Sequence, residues 1–528
     1  MDQSRDRKYD ERLYQVVESR VKRMMAASID RRSFLKKSAA ATAVGIGAAS
    51  VRASLTPSAV SAARKVLQQS GDSAEAAVAA ARKLREEGQV EKLTIISEAG
   101  LQAEDLKVFS GPLWKELTGI ELEVIEKPFD EIFPTMVQEH LAGTGAIDIL
   151  QVVPAWLADC VTQGIVEPLN PYIEQYMNPA DLDDIHPTYR DLMNYGGQIY
   201  GLFDDGDTLI GYYRSDLFED PVHQDAFRQQ HGKELGPPAT WEDYDLIQTY
   251  FTEALAPEIY GGASQRNPIQ SNHWFSQEFR VRGGKFFDPE TMQATLDSEA
   301  GVATLTRMLE SNKSMPPGVE QWGFVEVLTA WLQGQLAMVG CTWPPYARFS
   351  EEYGKDTKQM EWVPPSTISG NVKYFVMPGG WSQQASGFML NVSADSKAKE
   401  AAYLFSQWAN SPTISLERVL LPYSLRDPFR ISHYESQEYR SKWPNAGLYL
   451  DTLRASADNC LLDLIMPAAH DFEVAMDQMF GATQGGMPIE EALAQGNQAF
   501  NDLVERGGRD AMKAAYAEFI KLKGAYPA

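Results

Sequence analysis

Short apolar runs alternate with amphipathic segments along most of the chain, and this alternation predicts an α/β protein. The runs LTIIS, AIDILQVV, VKYFVM and FMLNV have the length and composition of buried strands. The segments between them, such as AWLADCVTQG and KAKEAAYLFSQWANS, repeat apolar residues at helical spacing. Strands and helices joined by short connections favour mostly parallel sheets covered by helices. Beyond about residue 427 the pattern becomes mainly helical.

Two helix ends carry local signals. Thr240 opens the segment TWEDYDLIQTYFTEAL, and Glu242 and Asp243 stand in its first turn, which is typical of a helix N-terminus. Gly119 follows LWKELT and can end that helix in the left-handed conformation.

The composition limits the classes of function. The 528 residues carry a formal net charge of −24, with 44% apolar and 23% charged residues. This length predicts about two to four domains with sizeable cores. Binding to DNA or RNA requires a basic surface that neutralises phosphates, and the sequence has no basic stripe. We therefore expect no nucleic-acid partner.

The three cysteines, Cys160, Cys341 and Cys460, are far apart in the chain. Their spacing predicts buried free thiols rather than a disulfide framework or a metal knuckle. The chain also has no CxxCH motif and no GxGxxG between a strand and a helix. We therefore expect no cofactor and no metal centre.

The N-terminal region has the pattern of an export signal. Arg31 and Arg32 open the sequence RRSFLKK, which resembles the twin-arginine consensus and predicts the twin-arginine translocation machinery as a partner. Residues 39–51 are small and weakly apolar, about half the length of a membrane-spanning helix. Residues 1–53 form the predicted signal, with cleavage after Ala53 or Ala62.

No cysteine lies near either cleavage site, so no lipid anchor is expected, and the predicted destination is the periplasm. Residues 54–90 are rich in alanine and predict a helical leader, interrupted at residues 70–72.

Three aspartates crowd into four positions of YGLFDDGDTLIGYYRSDLFED (residues 200–220), directly before an apolar run. An EF-hand loop would need a glutamate at its twelfth position, but Ser215 stands there when Asp204 is counted first. A glycosidase acid pair stays open, as does a turn in which Asp204 and Asp205 are solvated. A carboxylate such as Asp207 can also accept hydrogen bonds from the hydroxyl groups of a neutral ligand.

Four segments in order resemble the extracellular solute-binding proteins of family 1, the maltose-binding-protein-like receptors of ABC importers. They are DILQVVPAWLADCVTQGIVEPL, YGLFDDGDTLIGYYRSDLFED, PPATWEDYD and WLQGQLAMVGCTWP. Each motif is modest alone, but the ordered set is specific and the resemblance covers residues 92–506. One departure is Phe203, which stands where the family usually has proline.

The resemblance implies the two-lobed periplasmic binding protein fold of class II type. Each lobe would hold a mostly parallel sheet flanked by helices, with hinge strands between the lobes and a helical C-terminal region. Lobe 1 would comprise residues 91–205 and 379–430, and lobe 2 residues 206–378 and 431–528. The ligand would lie between the lobes, as is general for open α/β sheets.

The resemblance also implies which residues contact the ligand. Asp207 occupies the slot of a carboxylate that accepts hydrogen bonds from ligand hydroxyls, and Trp343 that of a stacking ring. Residues 264–277 occupy a loop at the cleft edge of lobe 2. The other predicted contacts are Gln265, His273 and Trp274 in that loop, Glu98 after the first strand, Trp381 on a glycine-rich loop, and Asp205. Weaker candidates are Trp156, Asp471 and Glu473.

These expectations combine into a periplasmic protein without catalytic activity. It would bind a sugar, an oligosaccharide or a polyol and pass it to the membrane permease of an ABC importer. Two alternatives stay open. A polyamine or another charged solute would suit the acidic DDGD sequence, and a secreted glycosidase or lyase could use Asp207 and Glu98 as an acid/base pair.

Overall fold

The computed structural model describes residues 73–267, 270–385 and 387–527. The predicted export signal, both predicted cleavage sites and the first part of the predicted leader lie outside these residues.

Helices and strands alternate through the described part of the chain, as the hydrophobic pattern predicts. The strands are β1 (Lys92–Glu98), β2 (Glu121–Lys127), β3 (Ile149–Val152), β4 (Asn194–Tyr195), β5 (Gln198–Ile199), β6 (Gly201–Phe203), β7 (Ile210–Arg214), β8 (Tyr260–Ala263), β9 (Leu336–Thr342), β10 (Val372–Phe375), β11 (Ser382–Gln383), β12 (Met389–Val392) and β13 (Cys460–Leu461).

The α-helices include every long helix that the sequence pattern predicts within these residues. They are α1 (Ser73–Glu86), α2 (Leu101–Asp105), α3 (Gly111–Thr118), α4 (Phe129–Ala142), α5 (Leu157–Thr162), α6 (Asn170–Tyr176), α7 (Pro179–Asp183), α8 (Pro187–Leu192), α9 (Ser215–Phe218), α10 (Pro221–His231), α11 (Trp241–Leu255), α12 (Asn272–Val281), α13 (Glu299–Ser311), α14 (Phe324–Leu332), α15 (Pro345–Ser350), α16 (Lys399–Asn410), α17 (Pro412–Leu420), α18 (Ile431–Glu435), α19 (Gln437–Arg440), α20 (Ala446–Asp458), α21 (Ala469–Gln484), α22 (Ile489–Gly507) and α23 (Arg509–Phe519).

Both predicted helix ends are confirmed. The Thr240 hydroxyl accepts a hydrogen bond from the backbone N–H of Asp243 at 3.1 Å and caps α11. Gly119 follows α3 with φ of 79°, a left-handed conformation that a side chain would disfavour.

The first lobe is built on a five-stranded sheet with the order β2-β1-β3-β12-β6. β1 runs parallel to β2 and β3, whereas β12 runs antiparallel to β3 and β6. The second lobe has a four-stranded sheet with the order β10-β7-β9-β8, in which β8 and β9 pair in parallel and β7 runs antiparallel to both of its neighbours, β10 and β9.

The α/β character, the two lobes and the mostly parallel direction of the strands agree with prediction, but each sheet contains one reversed strand, β12 in the first and β7 in the second. The reason is the direction in which the chain comes into each sheet. β12 and β7 each follow a segment that comes from the other lobe. β12 therefore starts at the edge of the first sheet where β1 ends, and β7 starts at the edge of the second sheet where β9 ends. They therefore run antiparallel to their neighbours in the sheet.

Three segments connect the lobes, and we call them the lobe crossings. Residues 204–209 lead from β6 to β7, and residues 376–388 lead from β10 back to β12. Residues 421–445 lead from α17, which contacts α1 and α16 on the first lobe, to α20, which packs on β10 of the second lobe. The exact boundaries of the two lobes along the chain stay a prediction.

The part of the predicted leader that is described forms α1 and packs on the first lobe. Its buried side chains, Ala74, Ala77, Val78, Ala81 and Leu84, form one helical stripe. α1 lies against α3 and α16, where Trp114 and Trp408 contact each other with ring centroids 5.3 Å apart. Burial of this stripe holds α1 on the lobe surface.

Cys160 and Cys460 are free and buried, as the spacing of the cysteines predicts. Within the described residues, no helix combines the length and the apolar character needed to cross a membrane.

Candidate functional site

The first of the three lobe crossings, residues 204–209, is largely buried although it carries three aspartates. Asp204 and Asp205 are 0% and 2% exposed, and Asp207 is half-buried. The interpretation of a turn with solvated aspartates is therefore wrong for Asp204 and Asp205. The reason is tertiary, because arginines 214 and 222 residues further along the chain reach Asp204.

Asp204 belongs to a group of four charged side chains that we call the paired cluster: Asp105, Asp204, Arg418 and Arg426. Arg418 Nε donates to Asp105 Oδ2 at 2.8 Å and Arg418 Nη1 donates to Asp204 Oδ1. Arg426 Nε donates to Asp204 Oδ2 at 3.0 Å. Burial by itself would raise the pKa of Asp204, but Arg418 and Arg426 outweigh it and lower that pKa.

Three further carboxylates meet beside the paired cluster, and we call Asp205, Asp207 and Asp427 the carboxylate trio. One oxygen from each lies within 4.8 Å of the others. Asp205 accepts from the backbone N–H of Asp427 at 2.9 Å and from Gln102 Nε2 at 3.1 Å. Asp207 Oδ2 accepts from the N–H of Gly387 at 3.1 Å, and Asp427 Oδ1 accepts from Arg348 Nη2 at 3.1 Å. The trio therefore joins all three lobe crossings.

The trio holds its protons more tightly than free aspartates do. Burial is the main cause, and the neighbouring carboxylates add to it by repulsion. These effects raise the pKa of Asp205 to about 6, although Arg426 opposes them. They raise the pKa of Asp207 and of Asp427 well above the ordinary value.

Glu98 stands at the end of β1, where the chain leaves the first sheet, and is partly buried. Burial raises its pKa to about 7, and the charge of Asp205 contributes to the rise. Two of the predicted contacts, Glu98 and Asp205, are thus electrostatic neighbours although they are far apart in sequence.

The predicted aromatic contacts Trp343, Trp274 and His273 form one cluster. The Trp343 ring centroid lies 5.8 Å from that of Trp274 and 6.0 Å from that of His273, both edge to face. Trp343 Nε1 donates to the carbonyl of Ala385 at 3.1 Å, and the N–H of Ala385 donates to the carbonyl of Asp207 at 2.9 Å. Ala385 in the second lobe crossing therefore links Trp343 to Asp207.

The second half of the predicted cleft loop is helical. α12 begins at Asn272, so His273 and Trp274 lie in its first turn. Asp477 fixes this start, because it accepts from the Ser271 hydroxyl at 2.7 Å and from the N–H of Asn272 at 2.8 Å. The resemblance implied a loop here, and the local sequence did not reveal the helix start because Asp477, which fixes it, lies 206 residues further along the chain.

The three rings differ in exposure. Trp343 is 8% exposed and Trp274 is 2% exposed, and Trp274 Nε1 donates to the carbonyl of Gly340 at 2.9 Å. His273 is buried, and burial lowers its pKa to about 4, so it is neutral at pH 7.

Gln265 and Trp381 are connected to this cluster by hydrogen bonds to residues near Trp343 and on α12. Gln265 follows β8, is fully buried, and donates through Nε2 to the Thr342 hydroxyl at 2.8 Å. The carbonyl of Trp381 accepts from Gln277 Nε2 at 2.7 Å on α12, and its side chain is partly exposed.

The weaker candidates lie in different surroundings. Trp156 is 1% exposed and packs against Phe129 and Phe133 with ring centroids 5.3 and 5.5 Å away. Asp471 is exposed and lies 3.7 Å from Arg506 on the surface. Burial, together with Asp463 and Asp477, raises the pKa of Glu473 well above its ordinary value.

Sequence reasoning missed several residues of the site. They are Gln102, Asp105, Arg348, Arg418, Arg426 and Asp427. One signal was available, since Arg418, Arg426 and Asp427 interrupt the otherwise apolar stretch RVLLPYSLRDPF. Charges inside such a stretch indicate buried ion pairs, but their partners cannot be read from the local sequence.

Comparison with known proteins gives a family match. The family described as bacterial extracellular solute-binding protein matches residues 70–414, more than half of the chain.

Curated relatives are distant. The probable amino-acid ABC transporter periplasmic-binding protein y4oP of Sinorhizobium fredii is 23% identical over 372 residues, which cover 67% of this chain and 76% of that protein. A putative binding protein of Brucella abortus is 25% identical over 248 residues, 44% of this chain, and the chain spans 54% of that relative's length.

Solved structures share the fold. Maltose-bound MalE3 of T. maritima has a TM-score of 0.64 at 19% identity, covering 78% of this chain and 99% of that one. A solute-binding protein of Agrobacterium vitis with bound D-mannitol has a TM-score of 0.64 at 20% identity, covering 79% of this chain and 99% of that one. One of Agrobacterium radiobacter in complex with ribitol has a TM-score of 0.63 at 19% identity, covering 78% and 98%.

Proposed function

The chain belongs to the bacterial extracellular solute-binding proteins, and from that premise we propose that it binds a sugar, an oligosaccharide or a polyol between its two lobes and delivers it to the permease of an ABC importer. The protein acts by binding and carries out no reaction on the solute. Three similar structures contain bound maltose, D-mannitol and ribitol, which supports this class of solute.

One observation carries the proposal at the level of residues. Asp207 and Trp343 meet through Ala385 at the place where the lobe crossings converge. Asp207 supplies a carboxylate that accepts from solute hydroxyls, and the Trp343 ring supplies an apolar face for the C–H side of a sugar. Glu98 contributes from the first lobe, so the solute contacts both lobes.

The remaining predicted contacts take graded roles in this proposal. His273 belongs to the aromatic cluster and Gln265 and Trp381 border it, and these residues offer polar groups or a partly exposed ring. Trp274 packs against Trp343 and supports it rather than contacting the solute, because Trp274 is more deeply buried and its indole N–H already donates to the carbonyl of Gly340. Asp205 orients the crossing, because both of its oxygens already accept hydrogen bonds.

Solute binding would close the lobes about the three crossings. A hinge closes when the solute makes contacts in the closed state that the open state lacks. A shift from about 1% to about 99% closed needs roughly 5.5 kcal/mol of such preference. Several charge-assisted hydrogen bonds and one or two stacked rings are of this size together.

The route to the site of action is part of the same proposal. The twin-arginine sequence at Arg31 and Arg32 would send the folded protein to the periplasm, where the permease is reached without a lipid anchor. Replacing both arginines by lysine is expected to leave the protein in the cytoplasmic fraction, and unchanged export would contradict this route.

The test is calorimetric titration of the mature protein with ribitol, D-mannitol and maltose, followed by a wider carbohydrate panel. We expect saturable binding of at least one such solute with one site per chain. Chromatography of the solute after incubation should recover it unchanged. Hydrolysed or eliminated product would favour the glycosidase or lyase alternative instead.

A charged solute is the second candidate, favoured by the carboxylate trio and by the amino-acid transport name of the Sinorhizobium relative. Titrations with putrescine, spermidine and a set of amino acids test it. Affinity for a charged solute should fall as ionic strength rises, whereas affinity for a neutral polyol should stay constant.

A further inference from the structure

The carboxylate trio has a charge imbalance that the paired cluster beside it lacks. In the paired cluster, the carboxylates of Asp105 and Asp204 face the two guanidinium groups of Arg418 and Arg426. In the trio, three carboxylates share one directly bonded guanidinium, that of Arg348 on Asp427. When all three carboxylates are ionised, the trio is two positive charges short of neutrality, so it must be balanced either by bound protons or by a cation.

Asp427 gives a second and independent sign of a missing partner. Its side chain is 0% exposed, and Oδ2 accepts no hydrogen bond from an N–H or hydroxyl donor among the described residues, so its one side-chain partner besides Arg348 is the Asp207 carboxyl, which can share a proton with it. A fully buried carboxylate oxygen without a donor is costly, and such oxygens are normally paired or coordinated to a cation. Asp207 likewise uses one oxygen for the N–H of Gly387, so its carboxylate retains further acceptor capacity.

The geometry and the donor set fit a hard divalent cation. One oxygen from each of the three carboxylates lies within 4.8 Å of the others, and a central ion at ordinary Ca²⁺–oxygen distances of about 2.3–2.6 Å can touch all of them. The ligand atoms are all carboxylate oxygens, without sulfur or imidazole, which favours Ca²⁺, Mg²⁺ or Mn²⁺ over zinc or copper.

We propose that Asp205, Asp207 and Asp427 bind one divalent cation, with Ca²⁺ as the preferred ion, at the junction of the three lobe crossings. This site differs from an EF-hand, because its ligands come from two crossings that are 222 residues apart at Asp205 and Asp427. The ion supplies the two positive charges that the trio lacks. It also ties the first crossing to the third and holds the Asp207 carboxylate in one orientation.

The inference does not depend on which solute the protein carries, so it is tested with metal alone. The mature protein is treated with a chelator, dialysed, and titrated with CaCl₂ and then with MgCl₂ and MnCl₂ by calorimetry. We expect one Ca²⁺ per chain and a melting temperature that rises with Ca²⁺ concentration. No binding heat and no shift of the melting temperature with any of the three ions would overturn the proposal.

Variants locate the ion. Asp427→Asn and Asp207→Asn should each weaken Ca²⁺ binding by more than about tenfold, since even outer-shell partners of metals contribute this much. The matched control is the double variant Glu490→Gln and Glu491→Gln, which removes two exposed carboxylates from α22 and should bind Ca²⁺ as the parent does. Circular dichroism confirms that each variant is folded.

Two results separate this inference from the proposed function. If Ca²⁺ binds the parent and both trio variants equally, the ion lies elsewhere and the site is wrong, whatever the solute titrations give. If Ca²⁺ binding is lost in both variants while no sugar or polyol binds the parent, the cation site stands and the proposed solute class fails.

Discussion

The paired cluster and the carboxylate trio lie side by side at the lobe crossings, yet they solve the problem of buried charge in different ways. Asp204 and Asp205 are consecutive and nearly equally buried. Asp204 is held by two arginines, and its pKa is lowered, whereas burial and nearby carboxylates raise the pKa of Asp205 to about 6. Neighbouring residues of one type therefore differ because of the partners that the fold brings to them.

The difference indicates a division of labour. A buried pair with matched charges and filled hydrogen bonds fixes the relative position of the segments that carry it. A group with surplus negative charge and unused oxygens is suited to receive donors from outside the chain, such as solute hydroxyls or a cation. Perturbed carboxylates of this kind are common at functional sites.

Loss of an arginine from the paired cluster should give the largest effect. Arg418→Met leaves Asp105 and Asp204 buried with part of their compensation removed, so we expect the free energy of unfolding to fall by about 3–5 kcal/mol. Urea denaturation followed by circular dichroism measures it. A loss below about 1 kcal/mol would mean that the cluster is not a structural lock.

Removal of one charge from the trio should act on binding instead. Asp207→Asn is expected to weaken the affinity for the solute found in the screen by about 1.5–3 kcal/mol, because a charge-assisted acceptor is lost. The control is Asp471→Asn, an exposed carboxylate on α21 that lies 3.7 Å from Arg506. Calorimetry of the two variants should show a loss for Asp207→Asn alone, and equal affinities would remove Asp207 from the site.

Removing the charge of Asp427, the third carboxylate of the trio, should stabilise the fold slightly, whereas Arg418→Met should destabilise it strongly. In buffer with a chelator, Asp427→Asn keeps an oxygen for Arg348 and offers an amide donor to Asp207, so we expect the free energy of unfolding to rise by about 0.5–1.5 kcal/mol. If the variant is instead destabilised as strongly as Arg418→Met, Asp427 behaves as part of the paired cluster and the comparison fails.

An exposed ion pair sets the lower end of the scale. Arg454 lies 3.0 Å from Glu435, and its side chain is 44% exposed. Arg454→Met should change the free energy of unfolding by about 0.2–1 kcal/mol at most, because water screens the pair. A cost equal to that of Arg418→Met in the same denaturation assay would show that burial does not distinguish the two arginines.

Much of the fold could be predicted from the sequence because its signals are local. Alternating apolar runs and amphipathic segments predicted the order of strands and helices, and Thr240 and Gly119 marked helix ends through bonds within one turn. The ordered motifs indicated the family, which the match over residues 70–414 confirms. The direction of β7 and β12 was beyond these signals, because it depends on where the chain comes into each sheet.

The site was predictable only in the residues that a motif carries. Asp207 and Trp343 were selected by their place in two motifs, and their role as solute contacts stays a prediction. The sequence left open a turn in which Asp204 and Asp205 are solvated, because no arginine or lysine close to them in the sequence indicates a buried ion pair. The tertiary structure decided this, because it brings Arg418, Arg426 and Asp427 from more than 200 residues away. A strand or cap is specified by neighbours along the chain, whereas the charge state of a buried carboxylate is set by whichever groups the fold places within a few ångströms.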